Sequence, residues 1–479
     1  MEVRTRFAPS PTGYMHIGNL RTALYAYLYA RKNKGVFILR IEDTDQARLV
    51  GDSVKVIYES LAVTGLEHDE GPDKGGPVGP YVQSERRPIY REYADKLLAS
   101  GHAYRCFCEK HEKQEEPGEE QDGPILGYDG RCSRLSAEEV QANLAKGLPF
   151  VIRQKIDREG STTFKDFVYG DITVDHKQLD DQILLKRDGF PTYNFANVVD
   201  DHLMGITHVM RGCEYISSTP KYLLLYRAFG WDAPEHIHLP HILGPDGKKL
   251  SKREGSAALS DLLGKGFLPE AVLNYIALLG WNPGTEQEFF TKADLVEKFD
   301  IARIGKAPAI FDVVKLTWLN AQHVKALPPE KAHELFLKFL PDAVKSGFDT
   351  RKLAGYFQGK VEKLADLPQM TAFLAALDEK FPADLFVHAK NKTTLESSKA
   401  TLADLQGILT ALPAWDYAGL LAAVKSYTEA KGAKLGAVMW PLRIALSGQV
   451  VTPTGAIEIA ELLGKPETLR RISLAMGKL

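Results

Sequence analysis

The chain opens with alternation. Val3, Thr5 and Phe7 fall on one side and Arg4 and Arg6 on the other, which predicts a short strand. The turn cluster Pro9-Ser10-Pro11-Thr12-Gly13 stops it. Leu20, Ala23, Leu24, Tyr27 and Leu28 then recur at helical spacing, and Gly35 lies just past the helix they predict. Val36 to Ile41 reads as a second strand without alternation, the pattern of a parallel strand buried on both faces. The opening 41 residues therefore predict strand–loop–helix–strand, the right-handed crossover of a nucleotide-binding sheet. Helices follow over 52–66 and 87–100, on either side of a Gly/Pro-rich loop at 71–80.

From residue 101 the pattern changes. The stretch 109–123 is polar, acidic and aperiodic, and reads as a solvated loop. Strand-like runs follow from Phe150: PFVIRQKI, TFKDFVYGDITV and ILLKRDGFPTY. Residues 101–190 thus read as an insertion, and 191–252 return to the first fold, with a helix at 222–229 and HIHLPHILG as a buried strand. Helices occupy 253–320, and from 325 to 479 almost every segment is an amphipathic helix. Frequent lysines on those helices read as a charged solvent face. No internal repeat is evident.

Composition narrows the picture a little. The 479 residues are 44% hydrophobic, enough for several packed domains, and 60 basic against 62 acidic residues leave a net charge of −2. That total does not advertise nucleic-acid binding, but basic residues gathered on one face would serve it equally well. No apolar run reaches about 18 residues, so no membrane span is expected. Met1 leads straight into the first strand, so no secretory leader is expected either. Four cysteines are not a disulfide framework, and a reducing cytoplasm is the expected location.

The loop between the first strand and helix is the candidate for chemistry. Free N–H groups and the helix dipole favour phosphate there, and Gly13 and Gly18 let a ligand approach the backbone. Neither the dinucleotide fingerprint nor GxxxxGK[ST] is present, so a nucleotide would bind by another scheme.

The residues PSPTGYMHIGN resemble the HIGH signature of class I aminoacyl-tRNA synthetases, in the form found in the glutamyl-tRNA synthetase family of bacterial type. Lys249-Leu250-Ser251-Lys252-Arg253 resembles the family's downstream KMSKS loop. The resemblance runs on through RIEDTD (40–45), 69–86, YDGRC (128–132), 191–212 and KLGAVMWPLRIALSG (434–448), and so covers essentially the whole chain. It implies an α/β Rossmann-like class I catalytic domain at 1–100 and 191–252, with an α+β insertion at 101–190 that binds the acceptor end of tRNA. All-α regions follow: stem contacts at 253–324 and an anticodon-binding domain at 325–479. The implied activity is glutamate–tRNA ligation, with ATP and Mg2+, L-glutamate and tRNA(Glu) as partners, in a cytoplasmic monomer that binds neither DNA nor membrane.

The resemblance also implies site residues. His16, Gly18 and Asn19, with Lys249, Ser251 and Lys252, would be catalytic; Pro11, Thr12, Gly13, His16, Gly18 and Lys252 would hold ATP. The physical need is for donors around a crowded, negatively charged phosphorus centre. Asn19 stands where the signature usually has His, and keeps an amide donor but not a cation. Arg253 replaces the usual final Ser. Arg6, Ala8, Ser10, Glu42, Tyr193, Asn197 and Arg211 would line the glutamate pocket, the two guanidinium groups matching carboxylates and Glu42 accepting from the α-ammonium. Unpaired cations would reject glutamine without an editing domain. Asp43 and Asp45 read as helix-capping acids, and Mg2+ is expected to arrive with ATP.

Cys106, Cys108 and Cys132 resemble a structural zinc knuckle found in some members. The usual fourth ligand position is Arg134 here, so Tyr128 or His111 would have to substitute, and three reduced thiols are the alternative. Cys213 is expected near the active site without a role. Other readings stay open: a non-discriminating enzyme that also charges tRNA(Gln), or a catalytically silent RNA-binding paralogue. A glutaminyl enzyme would carry β-barrel anticodon domains, and a paralogue that glutamylates a queuosine base would lack the C-terminal third.

Overall fold

The computed structural model describes residues 2–11, 13–45, 51–108, 128–248, 250 and 258–479. The chain forms two compact units. The first is Met1–Asp261 with Leu273–Asp312, the second Leu262–Val272 with Val313–Leu479.

The first unit begins with the crossover that the hydrophobic pattern predicts: β1 (Arg4–Phe7), α1 (Ile17–Lys32) and β2 (Val36–Leu39), the strands parallel with Thr5 opposite Phe37. The alternation in β1 does not separate an inner from an outer face. Thr5, Arg6 and Phe7 are all buried, because the sheet is covered on both sides and Arg6 is taken up by a buried ion pair. Helices α2 (Ser53–Thr64) and α3 (Arg87–Ala99) follow. The acids at 43 and 45 precede α2 by several residues and do not cap it; Asp52 is at its N-cap, and Asp43 Oδ1 accepts from the Ser84 amide. The solvated loop expected at 109–123 lies outside the described residues.

The insertion carries β3 (Ala103–Cys106), α4 (Ala137–Ala145), β4 (Val151–Gln154), β5 (Ser161–Asp166), β6 (Gly170–Asp175) and β7 (Ile183–Leu185). Strands β3, β4 and β7 form an antiparallel sheet, and β5 and β6 a hairpin. Helix α5 (Tyr193–Leu203), β8 (His208–Gly212), α6 (Thr219–Phe229) and β9 (Glu235–Leu239) complete the α/β layer. β8 and β9 are parallel. The hairpin joins their edge through one parallel pair, Asp166 with His236, giving the order β6-β5-β9-β8. Thr207 donates its amide to the Arg4 carbonyl, which sets β8 beside β1. The expected strand HIHLPHILG is two pieces. It breaks at Pro240, which has no N–H for a ladder, and Ile242–Leu243 pairs instead with Ala309–Ile310.

The end of α1 shows a division of labour. Lys34, not Gly35, has the left-handed conformation, with φ 53°. Gly35 donates to the Ala30 carbonyl and Lys34 to that of Arg31, the paired bonds of a Schellman cap. Glycine is required at 35 for space: a Cβ there would lie 2.1 Å from the Val3 carbonyl oxygen that feeds β2.

The second unit is helical throughout its main core, with Phe336, Phe357, Leu402, Leu420 and Ile444 buried together. Arg471 is a charged group buried there. Its guanidinium donates to the carbonyls of Phe373, Leu374 and Leu446, near the C-terminal ends of Leu367–Ala375 and Leu435–Ser447, and to Glu467. One cation thus satisfies carbonyls that have no partner inside their own helices. Among the described residues of the chain, no helix is long and apolar enough to cross a membrane.

Gly35→Ala is expected to destabilise the first unit by about 1–3 kcal/mol through the clash with Val3, seen as a lower thermal unfolding midpoint. Lys34→Gly should leave that midpoint unchanged or raise it, since it removes a side chain from a left-handed position.

Candidate active site

The carboxyl ends of β1, β8 and β9 and the amino end of α1 open onto one cavity of about 360 Å3. This is where an open α/β sheet places its ligands. Arg6, Ala8 and Ser10 reach it from β1 and the loop after it, His16, Gly18 and Asn19 from the start of α1, and Glu42 from beyond β2. Tyr193 comes from the first turn of α5 and Arg211 from β8. Nine residues, the first and last 205 positions apart, are thereby brought together.

Beneath the cavity lies a network of charges. Arg6 Nε donates to Asp201 Oδ1 at 3.0 Å and Arg40 Nη1 to the same oxygen at 2.7 Å. Arg40 also donates to Glu42 Oε1 from Nη2 at 2.9 Å. Arg86 Nε donates to Asp200 Oδ1 at 2.7 Å, and Gln83 and Tyr90 donate to Oδ2. All six charged groups are 4% exposed or less, so water does not screen them. Three cations face three carboxylates and the cluster is neutral. Burial favours a protonated Asp201, but Arg6 and Arg40 outweigh it and hold its pKa below the ordinary value. At Glu42 burial wins over the same two arginines, and its pKa is raised. The hydrogen bonds to Glu42 from Arg40 and Gln83 all reach Oε1.

Two further arginines on the cavity wall are not neutralised in this way. Arg211 donates from Nε to His238 Nε2 at 3.1 Å and from Nη2 to Thr219 Oγ1 at 3.0 Å, with the Tyr222 ring 4.7 Å beneath. Arg21 donates to the carbonyls of Leu279 and Pro240, and its buried Nε has no hydrogen-bond partner. Among the described residues neither guanidinium has a carboxylate within ion-pair distance. Burial lowers the pKa of Arg21. A cavity with two such cations is built for an anion.

His16 has two duties. It is the N-cap of α1, with Nδ1 accepting from the Gly18 amide at 3.1 Å. That bond leaves Nε2 as the protonated nitrogen of the neutral ring, in a side chain that lines the cavity. Gly18 keeps room for the ring, since a Cβ there would lie 3.3 Å from Nδ1.

Other expected site residues are placed differently. Asn197 is buried, and its Nδ2 donates to the Tyr193 carbonyl one turn back; it is not part of the cavity wall. Pro11 lines a separate, smaller cavity with Asp43 and Tyr58, and Gly13 lines neither. Thr12, Lys249, Ser251 and Lys252 lie outside the described residues, as do His111 and Arg253. The sequence reading missed Arg21, Glu214, Tyr215 and His241, all on the cavity wall, and Asp200 and Asp201 beneath it. Arg21 had a signal: it is a charged residue among the buried apolar positions Leu20, Ala23 and Leu24. Cys213 is half-buried, its thiol within 4.8 Å of ligand atoms of Glu214 and His241.

The sulfurs of Cys106, Cys108 and Cys132 all lie within 4.8 Å of one another, and Cys108 and Cys132 are 3.4 Å apart. A tetrahedral zinc with sulfur ligands has edges of about 3.8 Å, so the trio fits one face of such a site. The Tyr128 hydroxyl is the fourth group, 3.3 Å from Cys106 and 3.9 Å from Cys108. Burial and the neighbouring thiols push Cys108 up to about 11. Burial also acts on Cys106, but Tyr128, the backbone of Cys108 and Arg153 outweigh it and lower its pKa.

Comparison with known proteins shows the family. Residues 2–318 match the family described as tRNA synthetases class I (E and Q), catalytic domain, and residues 331–476 match an anticodon binding domain. The chain belongs to the class I aminoacyl-tRNA synthetases of the glutamate and glutamine type. A glutamate–tRNA ligase of Clostridium botulinum is 53% identical over 480 residues, covering 100% of this chain and 99% of that one. The glutamate–tRNA ligase of Clostridium tetani is 52% identical, covering 100% and 98%. A crystal structure of a glutamate tRNA ligase from Elizabethkingia meningosepticum, in complex with its amino acid, superposes with a TM-score of 0.87 at 35% identity over the full length of both chains. Class I synthetases use ATP with Mg2+.

Asp201→Asn should leave Arg6 and Arg40 short of counter-charge and destabilise the first unit by about 3–5 kcal/mol, measured as a fall in its thermal midpoint. Asp95→Asn, which removes the exposed pair with Arg91, should change it by less than about 0.5 kcal/mol.

Proposed function

We propose that this chain is a glutamate–tRNA ligase. An α-carboxylate oxygen of L-glutamate attacks the α-phosphorus of ATP, the bond to the β,γ-phosphates breaks, and pyrophosphate leaves. The 2′-hydroxyl of the terminal adenosine of tRNA(Glu) then displaces AMP from the glutamyl-adenylate. The observation that carries the reading is Arg211, a buried guanidinium on the cavity wall whose hydrogen bonds go to the neutral partners His238 and Thr219. A substrate carboxylate would complete it, and a carboxamide would leave its charge unpaired.

The other roles follow from position. Arg6 is pinned by Asp201 and presents a fixed edge to the side-chain carboxylate. Glu42, its Oε1 occupied by Arg40, offers Oε2 to the α-ammonium. Ala8 and Ser10 border the substrate on the β1 side, and the Tyr193 ring closes the pocket against Tyr215, 5.2 Å away. His16, through Nε2, and the amides at the start of α1 would hold the phosphates, with Asn19 as an amide donor and Arg21 as a nearby cation. Mg2+ enters with ATP and draws charge from the leaving pyrophosphate. Thr12, Lys249, Ser251 and Lys252 are assigned to ATP on the family signature, as are Pro11 and Gly13. Asn197 acts on Tyr193 by holding the first turn of α5.

We assign 101–190 to the tRNA acceptor end, 253–324 to the stem and 325–479 to the anticodon. We also assign zinc to Cys106, Cys108 and Cys132 with Tyr128 as fourth group, where it would tie the two ends of the segment 108–128 together. The enzyme is taken to be a cytoplasmic monomer.

Aminoacylation with radiolabelled glutamate, ATP and purified tRNA(Glu) or tRNA(Gln) tests the function. Charging of tRNA(Glu) alone marks a discriminating enzyme, and charging of both a non-discriminating one. Charging of neither, with ATP still bound, would overturn the reading in favour of a silent RNA-binding paralogue. Arg211→Ala should raise KM for glutamate by about 100-fold, with KM for ATP little changed. Elemental analysis of the purified chain should find about one zinc per chain, lost in Cys108→Ser. A metal-free wild-type chain would leave three packed, reduced thiols.

A further inference from the structure

Arg211 is held by an imidazole, and the imidazole by a carboxylate. His238 Nε2 accepts from Arg211 Nε at 3.1 Å, and His238 Nδ1 lies 2.7 Å from Asp166 Oδ2. Both His238 and Asp166 side chains are fully buried. An arginine Nε–H can only donate, so Nε2 must be bare and the ring's hydrogen must sit on Nδ1, facing Asp166. Thr219 Oγ1 completes the cradle by accepting from Arg211 Nη2. The residues come from four elements: Asp166 ends β5, His238 is in β9, Arg211 in β8, and Thr219 opens α6.

We propose that Asp166 and His238 are positioning residues for Arg211, fixing its guanidinium through a neutral imidazole so that its charge stays available to the substrate's side-chain carboxylate. This rests on the reading of Arg211 as the glutamate-binding cation. A carboxylate bonded directly to Arg211 would orient it equally well but would occupy the fork that the substrate needs. The imidazole transmits orientation and keeps the charges apart. Burial lowers the pKa of His238 and so does Arg211; both outweigh Asp166, and the ring stays neutral.

All four contacts of Asp166 demand an acceptor. Oδ1 takes the amides of Val168 and Tyr169 at 2.9 and 2.8 Å, and Oδ2 takes the amide and Nδ1 of His238. In Asp166→Asn the oxygen is claimed by the two turn amides and the NH2 group faces His238, where it leaves the His238 backbone N–H without its acceptor and meets Nδ1 as a donor. The ring must then accept at Nδ1 and carry its hydrogen on Nε2, against Arg211 Nε–H. The variant therefore reverses a tautomer without removing an atom's volume.

The experiment is steady-state aminoacylation of tRNA(Glu) by the full chain carrying Asp166→Asn, His238→Leu or His238→Gln, with Arg211→Ala alongside. Asp166→Asn and His238→Leu should each raise KM for glutamate by about 10-fold or more, leave kcat and KM for ATP within about 2-fold of wild type, and lower the preference for glutamate over glutamine. His238→Gln puts an amide oxygen where Nε2 was and should recover most of the loss. Nitrogen-15 spectra of labelled histidine should show the Nδ1–H form of His238 in the wild type and the Nε2–H form in Asp166→Asn. Equal changes in the KM for glutamate and for ATP, or no difference between His238→Leu and His238→Gln, would overturn the proposal and leave the pair a structural tie. If Asp166→Asn does not fold, the two His238 variants decide. If Arg211→Ala leaves KM for glutamate unchanged, the reading of the pocket fails; if it raises KM and the others do not, only the positioning role fails.

Discussion

Arg6, Arg40 and Arg86 share one dry space with Glu42, Asp200 and Asp201, and the pocket depends on their neutrality. An unpaired charge at that depth would be strongly destabilising, so each group is held wherever its partners are. Arg6 meets Asp201 across 195 positions of sequence and Arg86 meets Asp200 across 114. The network therefore fastens β1, the segment after β2, the start of α3 and α5 into one body. The cavity floor is rigid for the same reason that the network is satisfied.

Against that neutral floor the wall is electrostatically uneven. Arg211 and Arg21 are surrounded by imidazole, hydroxyl and carbonyl groups, which orient a guanidinium without cancelling it. One site thus uses arginine in two ways. Arg40 and Arg86 are matched by carboxylates of the protein, whereas Arg211 and Arg21 have no carboxylate within ion-pair distance among the described residues.

Much of this was legible in the sequence, and the illegible part has a common cause. Periodicity located β1, α1, β2, α3 and the helices of the second unit. The first short signature pointed to His16, and the wider resemblance to Arg6 and Arg211, all of which line the cavity. Asp200 and Asp201 were missed because they sit in a helix whose pattern explains them as polar positions, and their partners are more than a hundred residues away. Asn197 was read as a pocket residue because motif context gives a neighbourhood, not a direction; its amide turns back onto the helix. Gly35 was read only as lying just past the helix; the left-handed turn falls on Lys34, and Val3 excludes a side chain at 35. Pro240 broke a strand that hydrophobicity alone would have continued.

The cap at His16 has a consequence for how the chain can change. The same ring that lines the cavity closes the first turn of the helix beneath it. The cap uses the Nδ1 lone pair, so the helix start depends on the same imidazole that lines the cavity. Selection acting on position 16 therefore sees one trait where two are present. A lineage that drifted there would lose the start of its helix and a side chain of the cavity wall in the same step, and a designer who wished to alter one without the other would have to rebuild the turn first.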